Sequence, residues 1–168
     1  IFNIVMHIKL INKKLVFGKY KVKCAIGKRG ILRRKKEGDN ATPKGKFKIK
    51  SLYYRKDRVL NLKTRFKKNI IKKNMGWCDD TNSKFYNKLI KLPFNAKAEK
   101  LYLKRNIYDI VLTLDYNTNP IRKNKGSAIF IHIASKNYKP TKGCLAISKL
   151  NMRVLLKYIN KKSEIIIY

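Results

Sequence analysis

Acidic residues are scarce in this chain: nine Asp and Glu stand against 43 Lys and Arg in 168 residues, a formal net charge of +34. That imbalance excludes a surface of evenly paired charges. It also guarantees attraction to polyanions such as nucleic acid, anionic lipid headgroups or acidic wall polymers. A plainer origin is favoured over a dedicated nucleic-acid role. The basic residues divide into 34 Lys and 9 Arg spread along nearly the whole chain, beside abundant Ile, Asn and Tyr, which is what an AT-rich genome produces without selection for binding. Cys and His are also few: Cys24, Cys78, Cys144, His7 and His132. An odd Cys count argues against a complete disulfide framework and leaves at least one thiol free. No two Cys have the spacing of a zinc knuckle, and with only two His a structural zinc site is not expected. No apolar run reaches the roughly 18 residues of a membrane span. Residues 1–10 are apolar but short, are interrupted by Asn3, His7 and Lys9, and lack a small-residue cleavage site, so they do not read as a signal peptide. The first residue is Ile1, and Met6 stands as a candidate start.

What is present is enough apolar material for a core, 44% of residues, in a length that suits one domain. The dominant pattern has period two, the signature of strands. Strands are expected over residues 4–10, 20–26, 46–52, 107–114, 128–134 and 164–168. In the second of these, Tyr20, Val22, Cys24 and Ile26 share one face while Lys21 and Lys23 take the other. One helix is expected, capped by Ser148, with Leu150, Val154, Leu155, Tyr158 and Ile159 at helical spacing and a stop at Asn160. A short helix is expected over residues 65–73. Turn chemistry is dense from Gly38 to Gly45, and the fold class that follows is mainly β with a late helix and a closing strand.

The stretch from Gly126 to Ser148 carries the candidate chemistry. His132 interrupts a wholly apolar strand, sharing a face with Ala128, Phe130 and Ala134. A titratable ring there must find a partner or bear a desolvation cost. Twelve residues on, Cys144 follows Gly143 where a loop enters a short strand. An imidazole that takes the thiol proton makes a nucleophile of Cys144. Gly143 permits an unusual backbone angle, and the amides of Gly143 and Cys144 can point at a developing oxyanion. The bland alternative is that a lone Cys and a lone His merely fill a core.

These residues resemble a known family. L,D-transpeptidases of the YkuD type carry a His, a loop, and then Ser/Thr-His-Gly-Cys; this chain has His132, a loop, and Thr141-Lys142-Gly143-Cys144. The stretches from Gly38 to Phe47, Gly76 to Asp80, Tyr108-Asp109 and Gly126 to His132 are similar to one branch of the same family, in the same order. The resemblance covers roughly residues 20–168. It implies one catalytic domain over residues 1–168, with residues 1–10 a candidate N-terminal extension, on a YkuD-like β-sandwich or barrel. It implies a monomer acting without metal or organic cofactor, with Cys144 as nucleophile, His132 as general base and the Gly143 amide as oxyanion donor. The substrate it implies is the peptidoglycan stem peptide, met by Thr141, Lys142, Tyr138, Trp77 and Asp79, and the location the cell envelope. The absence of a legible export signal leaves the cytoplasm open. Two positions depart from the family's pattern: Lys142 replaces its second His, and Ala146 replaces its Arg or Asn. Both bear on acceptor preference and on the balance between transfer and hydrolysis. The remaining alternatives are an L,D-carboxypeptidase or amidase on the same scaffold, or a basic binding module for anionic surfaces. No specific nucleic acid partner is expected. Cys24 and Cys78 are expected to be structural thiols, His7 incidental, and Asp79-Asp80 either an ammonium site or a solvated turn.

Overall fold

The computed structural model describes residues 4–168; the first three residues of the N-terminal apolar run lie outside it. The architecture is mainly β, a nine-stranded sheet curled nearly into a barrel, with one helix packed against it. Three hairpin-connected strands open the chain: β1 (Ile8–Ile11), β2 (Lys14–Phe17) and β3 (Tyr20–Lys23). The β1–β2 turn is the pair Asn12-Lys13, both at positive φ (49° and 56°), the backbone that matches the right-handed twist of the flanking strands. Parallel two-residue strands β4 (Ile31–Leu32) and β5 (Thr42–Pro43) follow, and β5 lies within the turn cluster foreseen from Gly38 to Gly45.

The long strand β6 (Gly45–Tyr54) is the spine of the sheet. Beside it runs β7 (Lys68–Ile70), parallel to its second half. The helix expected over residues 65–73 is therefore absent. That segment is extended because Asn69 donates to Leu52 O at 2.9 Å and Ile71 N–H to Tyr54 O at 2.8 Å, while Phe66 and Ile71 bury their side chains. A separate three-stranded sheet follows, with β8 (Met75–Cys78) between β9 (Leu89–Lys91) and β10 (Ala98–Lys100). A single 3-10 turn (Asn106–Tyr108) leads into β11 (Ile110–Leu114), then β12 (Phe130–Ile133), β13 (Leu145–Ile147), α1 (Lys149–Tyr158) and β14 (Glu164–Ile167).

The main sheet runs β13-β12-β11-β6-β14-β1-β2-β3. Its two ends meet, because Ala25 and Ala146 exchange a pair of backbone hydrogen bonds of 2.8 and 2.9 Å beyond β3 and beside β12. The interior is filled mainly by Ile and Leu from most strands of the main sheet and the segments beside them, including Ile129, Ile131 and Ile133. Helix α1 closes one side with Met152, Leu155, Leu156 and Ile159, all 0% exposed. The buried stripe thus includes Met152 and Leu156 rather than Leu150, which is 73% exposed, while Tyr158 is 39% exposed at the edge, packed on Tyr20. Spacing alone admits both stripes, and the register against the barrel selects one. Ser148 is the N-cap, accepting from Asn151 N–H at 3.1 Å. Ser148→Ala is expected to lower stability by about 1 kcal/mol in urea unfolding, with the slope unchanged.

Candidate active site

The other face of β12 makes the site. Period-two alternation puts Ile129, Ile131 and Ile133 into the barrel and turns Phe130 and His132 outward, beneath the three-stranded sheet. Strand β13 runs parallel to β12 with His132 opposite Ala146. Cys144, two residues before Ala146, lies on that face one pleat away from His132. A second apolar cluster of Phe130, Tyr108, Val111, Leu101 and Ala128 packs around Cys144. The Tyr108 ring stands edge-on to both His132 (centroids 5.2 Å apart) and Phe130 (6.1 Å), holding the imidazole against rotation.

His132 and Cys144 line one cleft of about 670 Å³. No hydrogen bond joins them. The thiol donates to Ala128 O at 3.0 Å and accepts weakly from Phe130 N–H at 3.4 Å. Nδ1 of His132 lies 3.0 Å from Ile133 O. A carbonyl only accepts, so Nδ1 carries the proton and Nε2, which has no partner among the described residues, keeps its lone pair toward the cleft. Burial pushes the imidazole down to about 4, with the Arg105 charge adding slightly. Burial likewise pushes the Cys144 thiol up to about 12, with Glu99 adding to the rise. Both groups are therefore neutral at pH 7, a resting thiol beside a free base rather than a preformed ion pair.

Gly143 has φ of +143°, and a Cβ there would stand 2.7 Å from Ala41 O. The close approach is fixed by Thr42, whose hydroxyl donates to Gly143 O at 2.8 Å and accepts from Gly27 N–H at 2.9 Å. Thr141 braces the other side: Oγ1 donates to Cys144 O at 2.6 Å and accepts from Gly143 N–H at 3.1 Å. The Gly143 amide is thus already engaged, in contrast to the free oxyanion donor expected from the sequence. The Cys144 N–H has no partner among the described residues and is the open donor.

The other expected site residues divide. Thr141, Lys142 and Asp79 line the cleft; Lys142 is exposed. Asp79 Oδ1 is buried without a hydrogen bond, and Oδ2 is 3.7 Å from Lys97 Nζ. Its neighbour Asp80 accepts from Asn82 N–H as an ordinary turn. Tyr138 and Trp77 do not line the cleft. Tyr138 packs on Ala25, Ala134 and Ala146 with Lys23 Nζ 4.6 Å from its ring centre. Trp77 packs edge-on against Phe130 and donates to Asn87 Oδ1 at 2.9 Å, a supporting position behind the cleft wall. Cys24 and Cys78 are buried and unpaired, as structural thiols should be, and His7 is exposed on the surface.

Sequence reasoning missed Glu99, Tyr108, Glu37 and Thr42 as parts of the site. Glu99 accepts from Tyr108 OH at 2.5 Å and burial raises its carboxyl. Glu37 accepts from Ser127 Oγ at 2.8 Å and from Tyr86 OH. The available signal was their rarity: three of the nine acids, Glu37, Asp79 and Glu99, face this one cleft. Among the described residues no group of three His, Cys, Asp or Glu is placed to hold a metal.

The family model described as L,D-transpeptidase catalytic domain (YkuD) matches residues 5–167. A search of curated proteins returns no match. Among solved structures, that of Bd1075 from Bdellovibrio bacteriovorus is similar with a TM-score of 0.50 at 14% identity, over 97% of this chain and 47% of that one. The chain thus spans about half the length of that structure, and the likeness is one of fold.

Proposed function

The chain belongs to the YkuD family of L,D-transpeptidase catalytic domains, and from that premise we propose that it is a cysteine acyltransferase acting on peptidoglycan stem peptides, with Cys144 as nucleophile and His132 as general base. The observation that carries this reading is the pairing in one cleft of a thiol and a neutral imidazole whose Nε2 is free. In the first half-reaction the S–H turns from Ala128 O toward Nε2. The nitrogen takes the proton while sulfur attacks the carbonyl of the third stem residue. The Cys144 N–H meets the oxyanion, and imidazolium returns the proton to the departing D-Ala amine, leaving a thioester. In the second half-reaction an amine of a neighbouring stem attacks the thioester, His132 takes its proton, and the thiol is released with a new amide. Water in place of the amine gives a trimmed stem.

The cleft's charges suit both substrates. Lys142 and Arg105 are exposed cations at its rim, placed for the free carboxylates of a stem peptide. Asp79 and Glu99 offer an ammonium-binding wall for the acceptor. In this proposal the catalytic domain covers residues 1–168, with residues 1–10 a candidate N-terminal extension, and works at the cell envelope as a monomer.

Intact-mass analysis after incubation with a carbapenem tests the reading, since such compounds acylate the nucleophile of many members of this family. One adduct is expected, mapping to Cys144 and absent from Cys144→Ala. Cys24 and Cys78, 2% and 0% exposed, should stay unmodified. A native chain that gains no adduct, while its thiols react only as buried cysteines do, would remove the acyltransferase reading.

A further inference from the structure

The acceptor of the Cys144 thiol, the carbonyl of Ala128, belongs to a strained residue. Ala128 has φ of +53°, a left-handed conformation open to glycine and asparagine but rarely adopted by alanine. Such a residue persists only where its surroundings over-determine it, and such places cluster at functional sites. Here three side chains grip residues 126–128. Tyr86 OH accepts from Gly126 N–H at 3.0 Å, Glu37 accepts from Ser127 Oγ at 2.8 Å, and Asn87 Oδ1 accepts from Ala128 N–H at 3.0 Å. Tyr86 and Asn87 come from one turn ahead of β9.

Of the three, Asn87 acts on Ala128 itself. It is 5% exposed. Its Oδ1 also accepts from Trp77 Nε1–H at 2.9 Å, and its Nδ2 donates to the carbonyls of Tyr116 (3.2 Å) and Asn117 (2.8 Å). Four bonds use every lone pair and proton of a side-chain amide, so Asn87 has no freedom to turn. On the other side of Ala128, Ile129 O accepts from Leu114 N–H at 3.1 Å. The two anchors together hold Ala128 at positive φ. Without Asn87 the residue can relax to negative φ, and that relaxation re-aims its peptide groups.

A carbonyl oxygen 3.0 Å from the sulfur accepts from the neutral thiol and opposes the thiolate. The Phe130 N–H acts in the opposite sense, at the longer distance of 3.4 Å. The titratable and charged groups around the thiol are His132, Tyr108, Glu99 and Lys35, and none of them hydrogen-bonds to the sulfur.

We propose that Asn87 is a positioning residue for Cys144: by holding the Ala128 carbonyl against the thiol, it keeps the nucleophile protonated at rest and leaves its deprotonation to His132. This inference builds on the reading of Cys144 as the nucleophile. The test is alkylation of the full chain by iodoacetamide from pH 6 to 10, resolved for each cysteine by peptide mass. Asn87→Gly removes all four bonds and suits the φ of +57° at that position. It is expected to alkylate at Cys144 roughly tenfold faster at pH 8, the net of more thiolate and a less basic sulfur. Asn87→Asp keeps the acceptor oxygen and loses both donors. It should lower the urea midpoint yet leave Cys144 alkylating close to the native rate. Ala128→Gly fits φ of +53° without strain, should fold, and frees the same carbonyl; Cys144 should again react faster. Cys78, whose carbonyl accepts from Asn87 N–H at 2.9 Å, reports local opening, and the distant Cys24 reports global opening. Acceleration at either of them in step with Cys144 would show a loosened fold and overturn the proposal. So would an unchanged Cys144 in both glycine variants, or equal acceleration in Asn87→Asp and Asn87→Gly. Alkylation needs no acyl donor, so a native chain that takes no carbapenem would remove the nucleophile reading independently of this result.

Discussion

His132→Gln is expected to slow acylation of Cys144 by about 10²–10⁴-fold at pH 7, the range for loss of a positioned base. The resting thiol is held up to about 12 and the imidazole down to about 4, both by burial. The attacking thiolate therefore forms only as the proton leaves, and without Nε2 the proton must go to water. The pH profile separates this from a merely structural effect. The native chain should keep its acylation rate from pH 8 down to about 5 and lose it as Nε2 is protonated near 4. The glutamine variant should show no such limb, and its rate should climb about tenfold per pH unit with hydroxide. A native and a variant profile of the same shape would exclude His132 as the base. Stability runs the same way. The folded pKa lies below the ordinary value of 6.5, so the unfolded chain binds the extra proton between the two values. The contribution is complete above pH 6.5 and is lost as pH falls toward 4, on the order of 3 kcal/mol in total. Urea unfolding at pH 7 and 4.5 should show the native chain losing more than His132→Gln.

Gly143→Ala is expected to lower stability by about 2–4 kcal/mol and to abolish labelling of Cys144. Two costs combine. A side chain is strained at φ of +143°, and its Cβ would meet the backbone oxygen of Ala41 at 2.7 Å, an atom that cannot swing aside. Either relaxation breaks the Thr42 bond to Gly143 O and moves the amide of Cys144. Gly38→Ala isolates the first cost, because φ there is +73° with nothing within 4 Å of the added carbon. It should lose only about 1 kcal/mol and keep the labelling. Equal losses at the two positions would mean that the Ala41 contact is unimportant.

Much of this was legible in the residues. The strand faces of residues 20–26 and 128–134 followed from alternation, as did the Ser148 cap and the closing strand. Hairpin strand β2 was missed because its turn, Asn12-Lys13, lacks the glycine that usually marks such a loop. The 65–73 segment was misread because short apolar spacing suits a helix and a strand alike, and only the free edge of β6 decides. That Cys144 and His132 share one cleft was readable because each interrupts its surroundings. Thr42 and Glu99 were not, since their roles depend on partners 101 and 9 residues away, Gly143 and Tyr108. Trp77 drew attention by rarity, yet rarity does not tell a cleft wall from the packing behind it.

The seam between Ala25 and Ala146 joins segments more than a hundred positions apart, and Thr42 ties Gly143 to the same early region. The proposed nucleophile, Cys144, therefore acquires its setting only when distant parts of the chain have closed on one another, the kind of long-range pairing that is slow to form. Such a chain is its own timer: a half-built or locally opened molecule carries an ordinary thiol, and reactivity is conferred with the last stitch of the barrel. Labelling of Cys144 during refolding should accordingly lag behind the appearance of β structure.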